Sequence, residues 1–335
     1  MTPRPWSALE PLVASELGRP VGEVFASVDP EPVAAASLAQ VHRARLASGE
    51  LVALKVQYPE AEHLYRTDLA LVRRMVQMAS RLFPGFPLRG AVEDVAHFIG
   101  LELDFAREAE STERIRGALR ADGDVVVPKL HAGLCSARVL VLEFLDGTPI
   151  HETGRLAALG VDLPALADRV SDLYRRMLFE QGFFHGDPHP GNLLVLRDGR
   201  LGLLDFGLAK ELPEGFGPAV ADLLGSALRG DRTGALTAAR RVGFRLEGGD
   251  PEAFARLLGI VLGARHDLAE LRQAALGSAV DAVPPDIALV FRTLILLNGL
   301  SERLAPGERR IPRKLFSSLV APPPAAGMPL EAARA

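Results

Sequence analysis

The chain has 335 residues, 48% of them hydrophobic and 24% charged, which supplies a large buried core and excludes a globally disordered protein. Its formal net charge of −4 excludes the strongly basic field that holds a nucleic acid backbone, so no nucleic acid partner is expected. The single cysteine, Cys135, cannot form an intramolecular disulfide, and the first residues lack the apolar core of a signal peptide. We therefore expect a cytoplasmic protein.

The first predicted elements are a β-hairpin and two helices. Residues 33–56 alternate small, β-branched and polar side chains around a turn at Ser48 and Gly49. Residues 60–82 and 90–120 then repeat apolar side chains at three- and four-residue spacing among arginines and glutamates. The sequence therefore predicts two amphipathic helices after the hairpin.

Two short apolar runs, at residues 125–127 and 139–143, predict buried strands. Asp146 and Gly147 follow the second run and are typical of a turn. We place a boundary between two lobes at this turn.

The remaining chain is predicted to be mostly helical. Asp162 can begin one helix and Gly182 can end it. After residue 210 the chain is rich in alanine and leucine and is broken by glycines, and the apolar run 287–297 is too short to span a membrane, which predicts a buried helix. A tail rich in proline and alanine begins at residue 322.

A polar loop interrupts this apolar pattern. Its sequence, HGDPHPGN at residues 185–192, contains too much glycine and proline for a helix or a strand. Further on, the apolar strand 201–204 ends in Asp205, Phe206 and Gly207, which places a carboxylate at the end of a strand beside a flexible glycine. Polar loops held between buried elements often carry function.

Phosphoryl transfer is the chemistry that these side chains suit, since it depends on positioning and charge neutralisation. Asp187 would orient or deprotonate the phosphate acceptor. Asn192 and Asp205 would supply oxygen ligands to a Mg²⁺ ion that bridges the phosphates of ATP. Taken singly, these three residues are also ordinary turn formers, so the prediction depends on their joint spacing.

A lysine on an apolar strand completes the pattern. Residues 52–55 read VALK, and Lys55 matches the kinase lysine that reaches the nucleotide phosphates. This lysine needs a carboxylate partner, and the helix through residues 101–110 offers both Glu102 and Glu108. Sequence spacing alone does not decide which of these two glutamates pairs with Lys55.

The order of these motifs predicts the fold. The strand lysine, the helical glutamates, a hinge, a D-x-x-x-x-N loop and a DFG triplet follow one another as in protein kinases. The predicted fold class is α+β, a bilobal protein-kinase-like fold. Residues 1–146 form a small β-rich N-lobe with added helices, residues 147–305 a mostly helical C-lobe with the catalytic loop, and residues 306–335 a partly disordered tail.

The segment before the lysine strand departs from ordinary kinases. On the G-x-G-x-x-G-x-V pattern of the phosphate loop, alanines replace the glycines and a valine covers the base. A Cβ restricts positive φ and close backbone approach to phosphate, so we expect nucleotide to be held differently and the nucleotide preference to be altered. The residues predicted to bind the nucleotide are Ala34, Ala35, Ala36, Ser37, Ala39, Val41, Lys55, Glu143 and Asp205.

Four segments together resemble the UbiB (AarF) family of atypical kinases: AAASLAQVHRA at 34–44, LELDFAREAE at 101–110, FFHGDPHPGNLLV at 183–195 and LLDFGLAK at 203–210. The resemblance covers roughly residues 10–305. It implies that Glu108 is the partner of the strand lysine, and that Lys55, Glu108, Asp187 and Asn192 are the catalytic residues.

The same resemblance implies an ATP-dependent and Mg²⁺-dependent kinase or ATPase that supports isoprenoid quinone or lipid metabolism. Partners expected on this basis are ATP and quinone-pathway proteins or an isoprenoid lipid, with peripheral membrane contact left open. The family's K-x-G-Q helix, which meets the E-x-D motif matched by Glu102 and Asp104, is not found in this sequence. Either the gene product starts upstream, or the protein lacks the element, and in that case substrate restriction by it would not carry over.

Two other functions remain open. A small-molecule phosphotransferase of the aminoglycoside or choline type has a similar HGD loop and a later metal aspartate, although the alanine loop and LELDFAREAE argue against it. A nucleotide-binding pseudokinase scaffold is the other alternative, and the presence of both Asp187 and Asp205 argues against that.

Overall fold

The structure is a computed structural model, and it describes residues 3–82, 92, 96, 99–246, 280–282 and 284–320. The chain forms two compact units. Unit 1 comprises residues 1–161 and 183–211, and unit 2 comprises residues 162–182 and 212–335. The polar loop and the DFG segment thus belong to the same unit as the N-terminal sheet, and this division differs from the lobe boundary that we expect at residue 146.

An antiparallel sheet of five strands forms the N-terminal part of unit 1. Its strands lie in the order β1-β3-β4-β6, with the short β2 paired to β3. The predicted hairpin is present as β3 and β4, and both predicted buried strands are found. The strands of this sheet are β1 (Phe25–Val28), β2 (Ala34–Ala35), β3 (Ala39–Leu46), β4 (Leu51–Gln57) and β6 (Val139–Glu143), whereas β5 (Val125–Val126) belongs to a second sheet.

Buried and partly exposed side chains alternate along β4 and define the two faces of this sheet. Val52, Leu54 and Val56 are fully buried and pack under helices α1 (Trp6–Leu17) and α2 (Val21–Val24). Successive side chains of a strand point to opposite faces, so Lys55 is directed to the other side. There it lies opposite Val41 in the register of β3 and β4.

Of the two helices predicted at residues 60–82 and 90–120, the first is present and the second needs a correction. Helix α3 spans Ala61–Leu82 as predicted, and much of the following stretch lies outside the described residues. The helix expected through residues 101–110 is interrupted at residues 103–104. A new helix, α4 (Phe105–Ala118), begins after Asp104, whose side chain accepts a hydrogen bond from the amide of Arg107. This N-cap explains the break, because it satisfies an amide of the first helical turn.

A second sheet of four strands holds the polar loop. Its order is β5-β10-β9-β7, and a pair of short strands, β8 and β11, lies beside it. The polar loop runs from β8 to β9, and the DFG segment runs from β10 to β11. The further elements of unit 1 are β7 (Gly147–Pro149), α5 (Thr153–Ala158), β8 (Phe183–Phe184), β9 (Leu193–Leu196), β10 (Leu201–Leu203) and β11 (Lys210–Glu211).

The described residues of unit 2 are mainly helical. Asp162 caps its first helix, as predicted, and Gly182 ends the π-helical turn Met177–Gln181 that follows it. The helices are α6 (Leu163–Arg176), α7 (Phe216–Leu228), α8 (Arg232–Arg241), α9 (Pro285–Leu304) and α10 (Arg310–Val320), with strands β12 (Arg245–Leu246) and β13 (Val280–Ala282). The apolar run 287–297 lies within α9 and is largely buried, as predicted. None of the described helices is long and apolar enough to cross a membrane.

The tail expected from residue 306 begins with structure. Helix α10 buries Ile311, Leu315 and Phe316, while Arg310 pairs with Asp168 on helix α6. Residues 321–335 lie outside the described part of the chain.

Candidate functional site

Lys55 is at the centre of a three-residue ion-pair cluster in unit 1. Its Nζ donates to Oε1 of Glu108 at 2.7 Å and to Oε2 at 2.8 Å. It also donates to Oδ2 of Asp205 at 3.1 Å. The Lys55 and Glu108 side chains are only 16% and 2% exposed, whereas that of Asp205 is 43% exposed. One carboxylate of the cluster is therefore structural and buried, and the other is open to a ligand.

The charges of this cluster shift one another's pKa values. Burial alone would lower the pKa of Lys55, but the carboxylates of Asp205 and Glu108 outweigh it and raise that pKa. Burial raises the pKa of Glu108, and Lys55 opposes this only in part. Burial would also raise the pKa of Asp205, yet Lys55 and the amide of Gly207 hold it below its ordinary value. Asp205 is therefore ionised near neutral pH, as a metal ligand must be.

The first turn of α4 delivers the glutamate of this cluster. Glu108 is the fourth residue of the helix, and its amide donates to the carbonyl of Asp104, the capping residue. Of the two glutamates that spacing left open, Glu108 is therefore the one that pairs with Lys55. Glu102 lies before the cap and is exposed.

Asp205 occupies an unusual backbone conformation at the end of β10. Its φ is 58°, a left-handed value that a non-glycine residue rarely adopts. Oδ1 of Asp205 accepts a hydrogen bond from the amide of Gly207 at 3.2 Å. Beside it, the buried ring of His185 packs edge-on against Phe206 and bonds the carbonyl of Leu204 at 2.8 Å. Strain of this kind concentrates at functional sites, because the surroundings must enforce it.

The polar loop presents Asp187 and Asn192 together. Nδ2 of Asn192 donates to Oδ2 of Asp187 at 3.0 Å and to its carbonyl at 3.3 Å. Since the amide nitrogen is used in this way, the Oδ1 atom of Asn192 is the group that it can offer to a cation. The carbonyl of Asn192 accepts from the amide of Leu204, next to Asp205, at 2.8 Å. The backbone therefore ties the polar loop to the strand that carries Asp205.

Glycine is required at the second position of the HGD triplet. Gly186 has a φ of 56°, and a Cβ placed on it would lie 2.2 Å from the carbonyl oxygen of Leu208. The polar loop and the DFG segment thus approach each other too closely for any side chain at this position.

The alanine segment forms a small hairpin with the first residues of β3. Ala34 and Ala35 pair with Val41 and Gln40, and the amide of Ala36 donates to the carbonyl of Ala39. Residues 34–37 are exposed, whereas Ala39 is buried. All six residues 34–39 have negative φ values, so alanine is accommodated here without strain.

Glu143 ends β6, where it lies opposite Val52 in the register of β4. Its side chain is exposed, and Oε2 accepts from the amide of Lys129 at 3.1 Å. This contact joins Glu143 to a neighbouring loop. Among the described residues, no contact connects the Glu143 carboxylate with the cluster around Lys55.

Arg107 is the residue that sequence reasoning missed. Its guanidinium donates to the carbonyls of Gly207 and Ala209, at 2.5 and 2.8 Å. Nothing in the spacing of the motifs indicates this contact, because its acceptors are backbone atoms. The only sequence signal is that Arg107 immediately precedes Glu108.

The donor set around Asp205 fits a magnesium ion that is shared with a nucleotide. In the described part of the chain, no three His, Cys, Asp or Glu side chains gather into a metal cage. Mg²⁺ usually takes only one or two protein carboxylates and completes its shell with waters and phosphate oxygens. Asp205 and Asn192 provide one carboxylate and one amide oxygen, which suits that mode of binding.

The profile of the ABC1 atypical kinase-like domain matches residues 1–239. The chain belongs to this family. The resemblance to UbiB proteins is thereby confirmed, and so is the kinase-like α+β fold. Similar proteins include AarF domain-containing kinase 1 of Drosophila melanogaster, with 38% identity over 63% of this chain and 41% of that protein. AarF domain-containing protein kinase 1 of Mus musculus is 34% identical over 69% of this chain and 45% of its own length.

A chloroplast relative extends the comparison to plants. The protein ACTIVITY OF BC1 COMPLEX KINASE 3 of Arabidopsis thaliana is 36% identical over 60% of this chain and 29% of its own length. This ABC1-family chain therefore matches less than half the length of each of these three relatives. Among solved structures, the complex of Rv3197 with erythromycin from Mycobacterium tuberculosis is similar, with a TM-score of 0.64 and 28% identity. That match covers 91% of this chain and 84% of the other.

Proposed function

We propose that this ABC1-family chain binds ATP with Mg²⁺ and catalyses phosphoryl transfer or ATP hydrolysis. The observation that carries the proposal is the contact of Lys55 with both Glu108 and Asp205 at 2.7–3.1 Å. In kinase chemistry the strand lysine holds phosphate, its helical glutamate holds the lysine, and the DFG aspartate holds metal. This arrangement brings all three groups together.

Each remaining polar group has a role under this proposal. Asp205 and Asn192 hold Mg²⁺, which neutralises charge on the phosphates when it is bound. Asp187 orients the attacking hydroxyl or water and accepts its proton, and Asn192 keeps the Asp187 carboxylate in place through the 3.0 Å hydrogen bond. His185 serves structure, because burial lowers its pKa and it is held by the Leu204 carbonyl.

The alanine segment is proposed to cover the phosphates without glycine-like flexibility. Ala34, Ala35, Ala36 and Ser37 are exposed and can meet a ligand, but their negative φ values and Cβ atoms limit close approach. We therefore propose an altered nucleotide preference. The ratio of the affinities for ATP and ADP, measured for Ala36→Gly and for the parent protein, tests this part of the proposal. The same ratio in both proteins would refute it.

Turnover separates the proposed enzyme from a scaffold. Release of phosphate from ATP should depend on Mg²⁺ and should fall by about 10²–10⁴-fold in Asp187→Asn, the range that general acid-base groups contribute. Asp198→Asn is the matched control, because Asp198 is a surface residue paired with Arg200. Binding of ATP without turnover in the parent protein would favour the pseudokinase scaffold.

A small-molecule acceptor is the second candidate, and the similarity to the Rv3197–erythromycin structure favours testing it. We propose to incubate the protein with ATP labelled at the γ-phosphate and a panel of hydroxylated compounds that includes erythromycin. Label on a compound would identify a phosphotransferase. Erythromycin binding without label would indicate a ligand site and no transfer to that compound.

A role in isoprenoid quinone or lipid metabolism, which the UbiB resemblance implies, includes peripheral membrane contact. Helix α3 supports this part of the proposal, since Leu64, Leu71, Met75 and Met78 share one face and are 48–65% exposed. Sedimentation with vesicles, with and without an isoprenoid quinone, tests it.

Met75→Glu should reduce vesicle binding. Leu159→Glu, at an equally exposed leucine elsewhere in unit 1, should not. Equal binding of both variants would refute contact through α3.

A further inference from the structure

Arg107 connects helix α4 to the segment that follows Asp205. Its two terminal nitrogens each donate to a different carbonyl, that of Gly207 at 2.5 Å and that of Ala209 at 2.8 Å. The planar guanidinium group is suited to such a paired contact, because its donors are fixed in one fork. Two points of the DFG segment are therefore held by one side chain.

The same turn of helix α4 also contacts the strand lysine of the ion-pair cluster. Glu108, the next residue, binds Lys55, and Asp104 fixes the start of the helix by accepting from the amide of Arg107 at 3.0 Å. Arg107 and Glu108 therefore anchor the DFG segment and the strand lysine to one rigid element. A shift of this turn would move both.

Asp205 needs an external support of this kind. Its left-handed φ of 58° is unfavourable for an aspartate, and its side chain is open enough to swing away from Lys55. Gly207 is the link, since its amide donates to Oδ1 of Asp205 while its carbonyl accepts from Arg107. Restraining Gly207 restrains the carboxylate that it bonds.

We propose that Arg107 is a positioning residue that holds residues 205–209 in the conformation in which Asp205 can take a metal ion. This inference rests on the proposed function, since it assumes that Asp205 is the ligand of a nucleotide-bound Mg²⁺. Arg107 itself touches neither the metal nor the phosphates in this account. Its loss acts through the placement of Asp205.

Hydrogen exchange of the protein without nucleotide tests the first half of the inference. Arg107→Met should raise exchange of the amides of residues 206–209 by about tenfold or more, as expected for the loss of hydrogen bonds from a charged donor. Arg116→Met is the matched control, because Arg116 is on the same helix and pairs only with Glu113 in the described contacts. Unchanged exchange in the Arg107 variant would overturn the inference.

A magnesium titration tests the second half. At fixed ATP, the Mg²⁺ concentration for half-maximal binding should rise about 10–100-fold in Arg107→Met, the effect typical of outer-shell residues of metal sites. ATP binding without Mg²⁺ should be unchanged, which a general loss of structure would not allow. Arg107→Lys keeps a cation but has a single donor nitrogen, so it should show a smaller rise. It replaces Arg107→Met if that variant does not fold.

The two failures are distinguishable. If the parent protein binds no ATP at any Mg²⁺ concentration, the proposed function is wrong and, with it, the metal role of Arg107. If the parent binds MgATP and the Arg107 variants show the same magnesium dependence, the proposed function stands and the positioning role is wrong.

Discussion

Removing Lys55 should destabilise unit 1 more than removing its glutamate partner. Lys55→Met leaves the buried Glu108 without a cation, and an orphaned partner of a buried pair costs about 3–5 kcal/mol. Glu108→Gln leaves Lys55 paired with Asp205 at 3.1 Å, so only a charge-assisted hydrogen bond is weakened, at about 1.5–3 kcal/mol. The order of the two variants follows from one lysine serving two carboxylates.

The pH dependence of Lys55→Met provides a second check. Burial raises the pKa of Glu108 even with the lysine present, and removing the lysine removes the charge that opposes this rise. A carboxyl group whose pKa is raised on folding is better tolerated at low pH, where it is protonated. The deficit of Lys55→Met should therefore shrink between pH 7 and pH 5.

Unfolding can be followed with the only tryptophan of the chain, Trp6, which lies in unit 1 beside His42. Denaturant titrations at pH 7 and pH 5 then give the free energy of unfolding of the unit that contains the site. Glu110→Gln is the control, since Glu110 is exposed on the same helix as Glu108, and it should stay within about 0.5 kcal/mol of the parent. Equal costs for Lys55→Met and Glu110→Gln, or a deficit that grows as the pH falls, would refute the reasoning.

Two further predictions concern Gly186 in the polar loop and His42 on β3. Gly186→Ala should cost about 3 kcal/mol or more, because its Cβ would strike the Leu208 carbonyl as well as strain φ, whereas Gly199→Ala, with positive φ but open space, should cost about 1 kcal/mol. Thermal unfolding of both variants compares them, and equal losses would contradict the close approach. Burial lowers the pKa of His42, whose Nε2 is 2.7 Å from Nε2 of Gln40. The unfolded chain therefore takes up a proton at a higher pH than the folded one, and the free energy of unfolding should fall as the pH drops below the ordinary histidine pKa of about 6.5. His42→Gln should flatten that dependence in tryptophan fluorescence, and an equally steep profile would exclude His42 as its source.

The fold could be predicted from sequence because its signals are local and ordered. Alternating apolar and polar side chains around Lys55 predicted β4, and the capping residue Asp162 predicted the start of α6. The positions of the HGD and DFG segments predicted the order of the kinase-like motifs. What spacing could not provide was the choice between Glu102 and Glu108. That choice depends on the break at Asp104, where a side-chain cap outweighs the apolar periodicity that runs through it.

Other features depend on contacts that a sequence does not display. The hydrogen bonds from Arg107 to the DFG segment are accepted by backbone carbonyls. Because every residue has such a carbonyl, no pattern of side chains indicates these hydrogen bonds. Helix α10 was missed for a related reason. Its Arg310 and Lys314 pair with Asp168 and Asp172 of α6, more than 130 positions earlier in the chain, and only tertiary structure brings these charges together.

Binding of MgATP through Asp205 is the central claim, and thermal unfolding with and without MgATP tests it most directly. Ligand at about 100 times its Kd adds roughly 2.7 kcal/mol, which at about 2–4 °C per kcal/mol for units of this size is a readily measured rise. Asp205→Asn is the informative variant, because asparagine tolerates the left-handed backbone while losing the charge. The account predicts a rise of about 5–10 °C for the parent protein and little or none for Asp205→Asn. No rise in either protein, or the same rise in both, would contradict it.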